Sequence, residues 1–267
     1  MIQKPRLGWW LRKLWVIDVM NDSVSVPTAD CSLCPFRGKT LLMGRCMPAD
    51  TCVQVESGRQ IDRFFRVNPN YAEQYLQDTF WERRAIAVRY APQKALLELI
   101  DDEDEVVRRA VAYRLPQQQL QYLLHDTDRE VRMTVADRIA LNELEQLAND
   151  KDYIVRLTVV KRLPEGRLFR MIRDKDLQVR KLVATRLPEV SLGLMINDDA
   201  PEVRRIIAQR LPASDLALLR GDDDWLVRYA VAERIAVTEL GCLLNDAEPD
   251  VRTLAQQRLQ APPPSED

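Results

Sequence analysis

The sequence predicts an all-α protein: a solenoid in which long α-helices alternate with short helices of 3₁₀ type, preceded by a small cysteine-bearing domain. Three observations carry this expectation. The fragments VRRAVAYRLP, VRMTVADRIA, VRLTVVKRLP, VRKLVATRLP, VRRIIAQRLP, VRYAVAERIA and VRTLAQQRLQ begin at Val107, Val131, Val155, Val179, Val203, Val227 and Val251, a constant spacing of 24. A fixed period of this size marks stacked units, none of which buries its apolar face alone. Within one unit Val107, Ala110, Val111 and Leu115 fall on one stripe of a helix turning about 100° per residue. Composition agrees: 8 glycines and 6% aromatics in a chain rich in Leu, Ala, Arg and Val favour helix over sheet.

The first element, residues 1–30, is aromatic and basic. In MIQKPRLGWWLRKLWVIDVM, Arg12, Lys13 and Asp18 interrupt every apolar run and no small-residue cleavage site follows, so it does not read as a signal peptide. Trp9, Trp10, Leu11, Leu14 and Trp15, with Arg6, Arg12 and Lys13 between them, suit an interfacial membrane helix or packing over the cysteine domain, and the short length favours packing. No stretch reaches the roughly 18 to 20 apolar residues of a membrane span. A cytoplasmic location follows as the expectation, with thiols reduced or metal-bound.

Residues 31–80 form the second element. CSLCPFRGKTLLMGRCMPADTC holds four of the five cysteines, Cys31, Cys34, Cys46 and Cys52, in a chain with a single histidine. The spacing is C-x₂-C-x₁₁-C-x₅-C, whose CxxC pair turns two thiolates toward one ion or cluster edge. Structural zinc takes four cysteines, often from two tight pairs, whereas iron–sulfur clusters accept more varied spacing. The wide Cys46–Cys52 pair and Pro35 directly after Cys34 favour a [4Fe–4S] cluster, with zinc as the alternative. Arg37, Lys39 and Arg45 offset the charge of four thiolates. The connection RVNPNYAEQYLQDTF is not a Gly/Pro/Ser-rich linker, and Tyr71, Tyr75 and Phe80 are expected to pack it against the first repeat.

Residues 81–260 are about eight units of the solenoid, the first a degraded copy, RRAIAVRYAP. Asp128, Asp152, Asp176 and Asp224 stand three residues before their Val as N-caps, where a carboxylate also suits the positive end of the helix. Pro201 and Pro249 occupy the first helical position, where a missing N–H loses no partner. Pro116, Pro164, Pro188 and Pro212 stop the helix. Roughly ten residues remain before the next cap, too few for a second full helix. Their column of Leu120, Leu144, Leu168, Leu192, Leu216 and Leu240, with Leu or Met three residues on, fits one or two 3₁₀ turns.

The recurring VR··(V/I)A·R(L/I)P core followed by L··L and Asp resembles the leucine-rich repeat variant (LRV) family over about two-thirds of the chain. That resemblance implies a right-handed superhelix of paired α- and 3₁₀-helices. It also implies an N-terminal iron–sulfur domain bound by cysteines, a layout Cys31, Cys34, Cys46 and Cys52 match, an association with nitrogen-fixing bacteria, and no catalytic activity.

Two arginine columns need partners: Arg108, Arg132, Arg156, Arg180, Arg204, Arg228 and Arg252 at the edge of the stripe, and Arg114, Arg138, Arg162, Arg186, Arg210, Arg234 and Arg258 inside it. A charge on a buried face requires compensation. Asp126, Asp150, Asp174, Asp198, Asp222 and Asp246, with free carbonyls at helix ends, are the candidates; a phosphate-binding track is the competing reading. Residues two and six after each Val vary between units, as in Arg109, Met133 and Leu157 or Tyr113, Asp137 and Lys161, and are expected to face solvent. Cys242 reads as a small core hydrophobe, and His125 as a turn residue. The tail 261–267 is expected to be disordered.

A net charge of −2 argues against a globally basic nucleic-acid binder. No phosphate loop, nucleophile elbow or catalytic carboxylate pair stands out. The expected function is a non-enzymatic protein-interaction scaffold with a structural or redox-sensing [4Fe–4S] cluster, its partner another protein. An electron-transfer module and nucleic-acid binding through the arginine columns are the alternatives.

Overall fold

The computed structural model of the chain describes residues 26–261. The readings made above for the Trp-rich segment before residue 26 and for the tail after 261 lie outside the described residues. Among the described residues there is no strand, only the isolated antiparallel bridge of Met47 and Thr51. The chain divides after Tyr90 into two compact units.

In the second unit the period becomes architecture. Long helices span Glu105–Arg114, Arg129–Arg138, Tyr153–Arg162, Leu177–Arg186, Pro201–Arg210, Trp225–Arg234 and Pro249–Gln260. Between them run 3₁₀-helices such as Gln117–Leu123, Glu165–Met171 and Val237–Leu243. The connection after Arg138 differs, with an α-turn at Leu141–Leu144 before the 3₁₀ turn Glu145–Leu147. Asp128, Asp152, Asp176 and Asp224 accept N–H bonds from the first turn, and so does Asp104 in the preceding unit. Each helix before a proline ends two residues short of it, its Ccap Leu already extended.

The core is the set of repeated columns. Val107, Val111 and Leu115 and their equivalents are buried, Leu259 in the last unit excepted, and are joined by the small residue five after each Val (Ala112, Ala136, Val160, Ala184, Ala208, Ala232). From the short helices, Leu120 and Leu123, Leu168 and Met171, and Leu240 and Leu243 enter the same core. Three residues per turn puts i and i+3 on one face, so a 3₁₀-helix offers the core only that pair. Cys242 therefore falls outside it: the thiol is exposed and lies against the Glu239 carbonyl, 3.2 Å away, correcting its expected place in the core. The outer columns also divide. Positions six after each Val are exposed, as at Tyr113, Asp137 and Lys161, whereas Arg109, Met133 and Leu157, two after Val, are half-buried.

The two arginine columns take different partners. In the first six members of the edge column each Nε lies 2.7–2.9 Å from the carboxylate of an aspartate 18 residues on: Arg108–Asp126, Arg132–Asp150, Arg156–Asp174, Arg180–Asp198, Arg204–Asp222 and Arg228–Asp246. The same guanidinium donates through Nη1 to the carbonyl of the aspartate six residues back, as in Arg132 to Asp126 at 2.8 Å. The inner column reaches backward to helix-end carbonyls 26 residues earlier: Arg162 to Ala136 at 2.7 Å, Arg210 to Ala184 at 2.6 Å and Arg234 to Ala208 at 2.7 Å. Those carbonyls belong to the last helical turn, which has no internal donor, and the negative end of the helix suits a cation. Both columns are thereby spent on stacking one repeat on the next.

Candidate metal centre

In the first unit, helices Gly58–Val67 and Trp81–Val88 support the cysteine loop. Asp62, buried on the first helix, accepts from Arg89 Nη1 at 2.8 Å, Tyr90 Oη at 2.8 Å and Arg66 Nη2 at 2.5 Å, pinning the first helix to the end of the second. A Cβ on Gly58 would meet the Glu82 carboxylate, so a larger residue there displaces that side chain. Ile61, Phe64 and Phe65 are fully buried. Phe36 from the loop packs edge-on against Phe64 and Tyr71 with centroids 5.0 Å apart in each case. Tyr71 and Tyr75 thus pack within the first unit, Tyr75 against Phe65 at 5.4 Å.

The loop is held at both ends. Gln60 Nε2 donates to the Pro27 carbonyl at 2.9 Å, and Asn68 Nδ2 to the Arg45 carbonyl at 2.7 Å. Cys31 and Cys34 close one turn, the Cys34 N–H donating to the Cys31 carbonyl at 3.4 Å. A π-helical turn at Arg37–Leu41 follows, and Gly44, with φ of 66°, reverses the chain toward Cys46. Met47 and Thr51 then exchange two backbone hydrogen bonds of 2.9 and 2.8 Å. Because Cys46 and Cys52 flank this closed pair, the five residues between them form a tight loop, a constraint not legible in the spacing alone.

Cys46 and Cys52 are buried and Cys31 and Cys34 half-buried. Burial pushes the Cys46 thiol up to about 11, and Cys52, Cys34 and Cys31 add to the shift in that order. The four thiols therefore share one electrostatic neighbourhood in which ionising one opposes ionising the next. A cationic centre relieves that repulsion, so the donor set fits an iron–sulfur cluster. The side chains are gathered but not focused: among the described residues no three His, Cys, Asp or Glu groups form a ready-made metal-binding set. Arg37, Lys39 and Arg45 are exposed around the loop. His125 is exposed in its turn, and Cys242 belongs to the other unit.

The model of the LRV protein FeS4 cluster family matches residues 27–74, which include all four cysteines. A solved structure described as a leucine-rich repeat variant with a novel repetitive structural motif is 61% identical, with a TM-score of 0.80, over 87% of this chain and 99% of that one. The chain belongs to the leucine-rich repeat variant family. Its LRV cluster domain makes the cofactor a [4Fe–4S] cluster. A Rhodobacter capsulatus protein of 27.7 kDa from the nifB 3′ region is 37% identical over 86 residues, 32% of this chain. The match spans 35% of that relative's length. Among the described residues of the LRV chain, no helix is long and apolar enough to cross a membrane.

Proposed function

We propose that this iron–sulfur repeat protein is a non-enzymatic, cytoplasmic scaffold: the solenoid, residues 81–260, binds another protein, and the domain at 31–80 holds the [4Fe–4S] cluster through Cys31, Cys34, Cys46 and Cys52. The cluster, which supplies one-electron redox chemistry when bound, serves as a structural or redox-sensing element. One observation carries the reading. The repeated charges are consumed internally, Arg on Asp and Arg on carbonyl, while the residues six after each Val, which differ from unit to unit, are exposed. A repeat protein that holds its frame constant and varies its surface presents an individually patterned binding face. The same bookkeeping weakens the phosphate-track alternative, because arginines already paired with carboxylates are poor phosphate donors. The relative from the nifB 3′ region supports a setting in nitrogen fixation.

The cluster assignment is tested on protein purified anaerobically, which should be brown with about four irons and four sulfides per chain. Serine at any of Cys31, Cys34, Cys46 or Cys52 should bleach it, and Cys242→Ser should not. Colourless protein with one zinc rejects the assignment. Proximity labelling in the native host tests the scaffold. Recovery of nucleic acid with a steep salt dependence, and of no protein, overturns it.

A further inference from the structure

The short helices of adjacent repeats stack in register, so residues 24 apart form lines along the surface. One such line, Arg170, Leu194, Leu218 and Cys242, is exposed throughout. Leu194 is 60% and Leu218 73% exposed. Small residues Gly193, Ala217 and Gly241 precede the last three members, leaving the line open to an approaching chain. Two exposed leucines in the same register of neighbouring repeats, with the Cys242 thiol next in line, form an apolar strip that a partner can cover.

The line ends at a basic cleft. Arg170, Arg173 and Lys175 border an open cleft of about 260 Å³ together with Asp150 and Asp174, whose carboxylates are already bonded by Arg132 and Arg156. Arg170 pairs with Glu145, which Arg167 also reaches, so two guanidiniums share one carboxylate. Arg173 and Lys175 make no ion pair among the described residues and are exposed. One and two repeats further on, the register of Lys175 is occupied by Asp199 and Asp223, so the sign reverses alongside the apolar line. A phosphate backbone running along this face would meet attraction at one repeat and repulsion at the next two. A polypeptide that places carboxylates at one end and apolar side chains along the rest meets neither penalty.

We propose that this face binds a protein segment that lays apolar side chains along Leu194 and Leu218 and sets two or more carboxylates into the cleft of Arg170, Arg173 and Lys175. The inference rests on the scaffold reading and names the chemistry of the partner. Helices pack about 8–10 Å apart, a step matched by about seven residues of a helix rising roughly 1.5 Å each. The segment therefore carries one apolar side chain per heptad and its acidic residues at one terminus.

The probe is a labelled helical peptide with leucines at seven-residue intervals and three glutamates at one end, titrated by fluorescence anisotropy against the cluster-bound full chain. We expect Leu194→Asp and Leu218→Asp each to weaken binding at least tenfold. Arg173→Glu with Lys175→Glu should do the same and remove the salt dependence, and a peptide ending in three lysines should bind at least tenfold more weakly. All four positions are exposed, and unchanged circular dichroism and melting temperature exclude misfolding as the cause. Unaltered binding by the Leu variants, equal binding of the lysine-ended peptide, or preference for a single-stranded oligonucleotide overturns the proposal. If proximity labelling finds a protein partner whose recovery is indifferent to Leu218→Asp, this face is wrong and the scaffold stands. If it finds no protein partner, the scaffold reading itself fails.

Discussion

Arg156→Ala tests whether the edge column holds the repeats together. Arg156 is 2% exposed, and its Nε and Nη2 donate to the two oxygens of Asp174 at 2.7 and 2.8 Å, while Nη1 donates to the Asp150 carbonyl at 2.7 Å. The Asp174 side chain is 6% exposed. Truncation leaves that carboxylate with one remaining donor, the Asp176 N–H at 2.8 Å. Breaking a buried pair by removing one partner costs about 3–5 kcal/mol, chiefly because a charge stays buried without compensation. Removing both charges is different: Arg156→Met with Asp174→Leu should recover most of the loss, since apolar replacement of a buried ion pair is near neutral. The single variants should therefore be strongly non-additive, with a coupling of about 2–3 kcal/mol. Urea is the denaturant of choice because guanidinium salt screens the charges. A chain of two units need not unfold in one step, so hydrogen exchange over the helices on either side of Asp174 provides the local readout. A loss below about 1 kcal/mol, the range of an exposed pair, or simple additivity of the two single variants, would refute the reasoning.

Other expectations follow from the same geometry. Arg186→Ala withdraws a guanidinium from the Val160 and Leu163 carbonyls; as the residue is half-buried, water replaces part of the bond, and the cost should be about 1–2 kcal/mol, less than for Arg156→Ala. Thermal melts that rank the two in the opposite order contradict this. Asp128→Ala removes the acceptor for the Glu130 and Val131 N–H groups at 2.8 and 3.1 Å, which should cost about 1 kcal/mol, while Asp128→Asn should keep most of the cap. Asp246 is held below the usual carboxylate range by the Arg228 hydrogen bond, which outweighs burial, aided by the Glu248 N–H. A depressed folded pKa stabilises fully above the unfolded value of about 3.9 and loses that contribution as pH falls through the folded one. The stability gap between the wild type and Asp246→Asn should thus be constant from about pH 7 to 5 and close only below about 4; closure near neutrality would point to a different group.

The repeat was legible in the sequence because its punctuation is chemical. Asp128 or Pro201 starts a helix and Pro116 or Pro164 stops one for reasons that act within a few residues, and the structure places the boundaries there. Partner choice for the arginines was not legible to the same degree. A helical wheel places the edge column and the inner column on a face, but which one reaches a carboxylate depends on how one repeat sits on the next. The half-burial of Arg109 has the same origin, its guanidinium lying 3.9 Å from Glu130 on the following helix. Cys242 has apolar neighbours in LGCLLND, but only Leu240 and Leu243 of that three-residue turn face the core, and the thiol lies outside it. In the cysteine domain the clustering of Cys31, Cys34, Cys46 and Cys52 was readable from spacing. The Met47–Thr51 closure and the Asp62 hub were not, since both depend on contacts between residues with no local signature.

Each arginine–aspartate bond is contained in one block of 24 residues, such as Arg156 with Asp174 in 151–174, so every block brings its own donor and acceptor. Excision of residues 151–174 would leave Arg132 on Asp150, and Arg180 would find the Asp150 carbonyl where it had met that of Asp174, its carboxylate partner Asp198 unchanged. No charge is stranded by losing a whole block, nor by duplicating one. Recombination between blocks can therefore lengthen or shorten the array without an electrostatic penalty while the register of every surviving block is preserved.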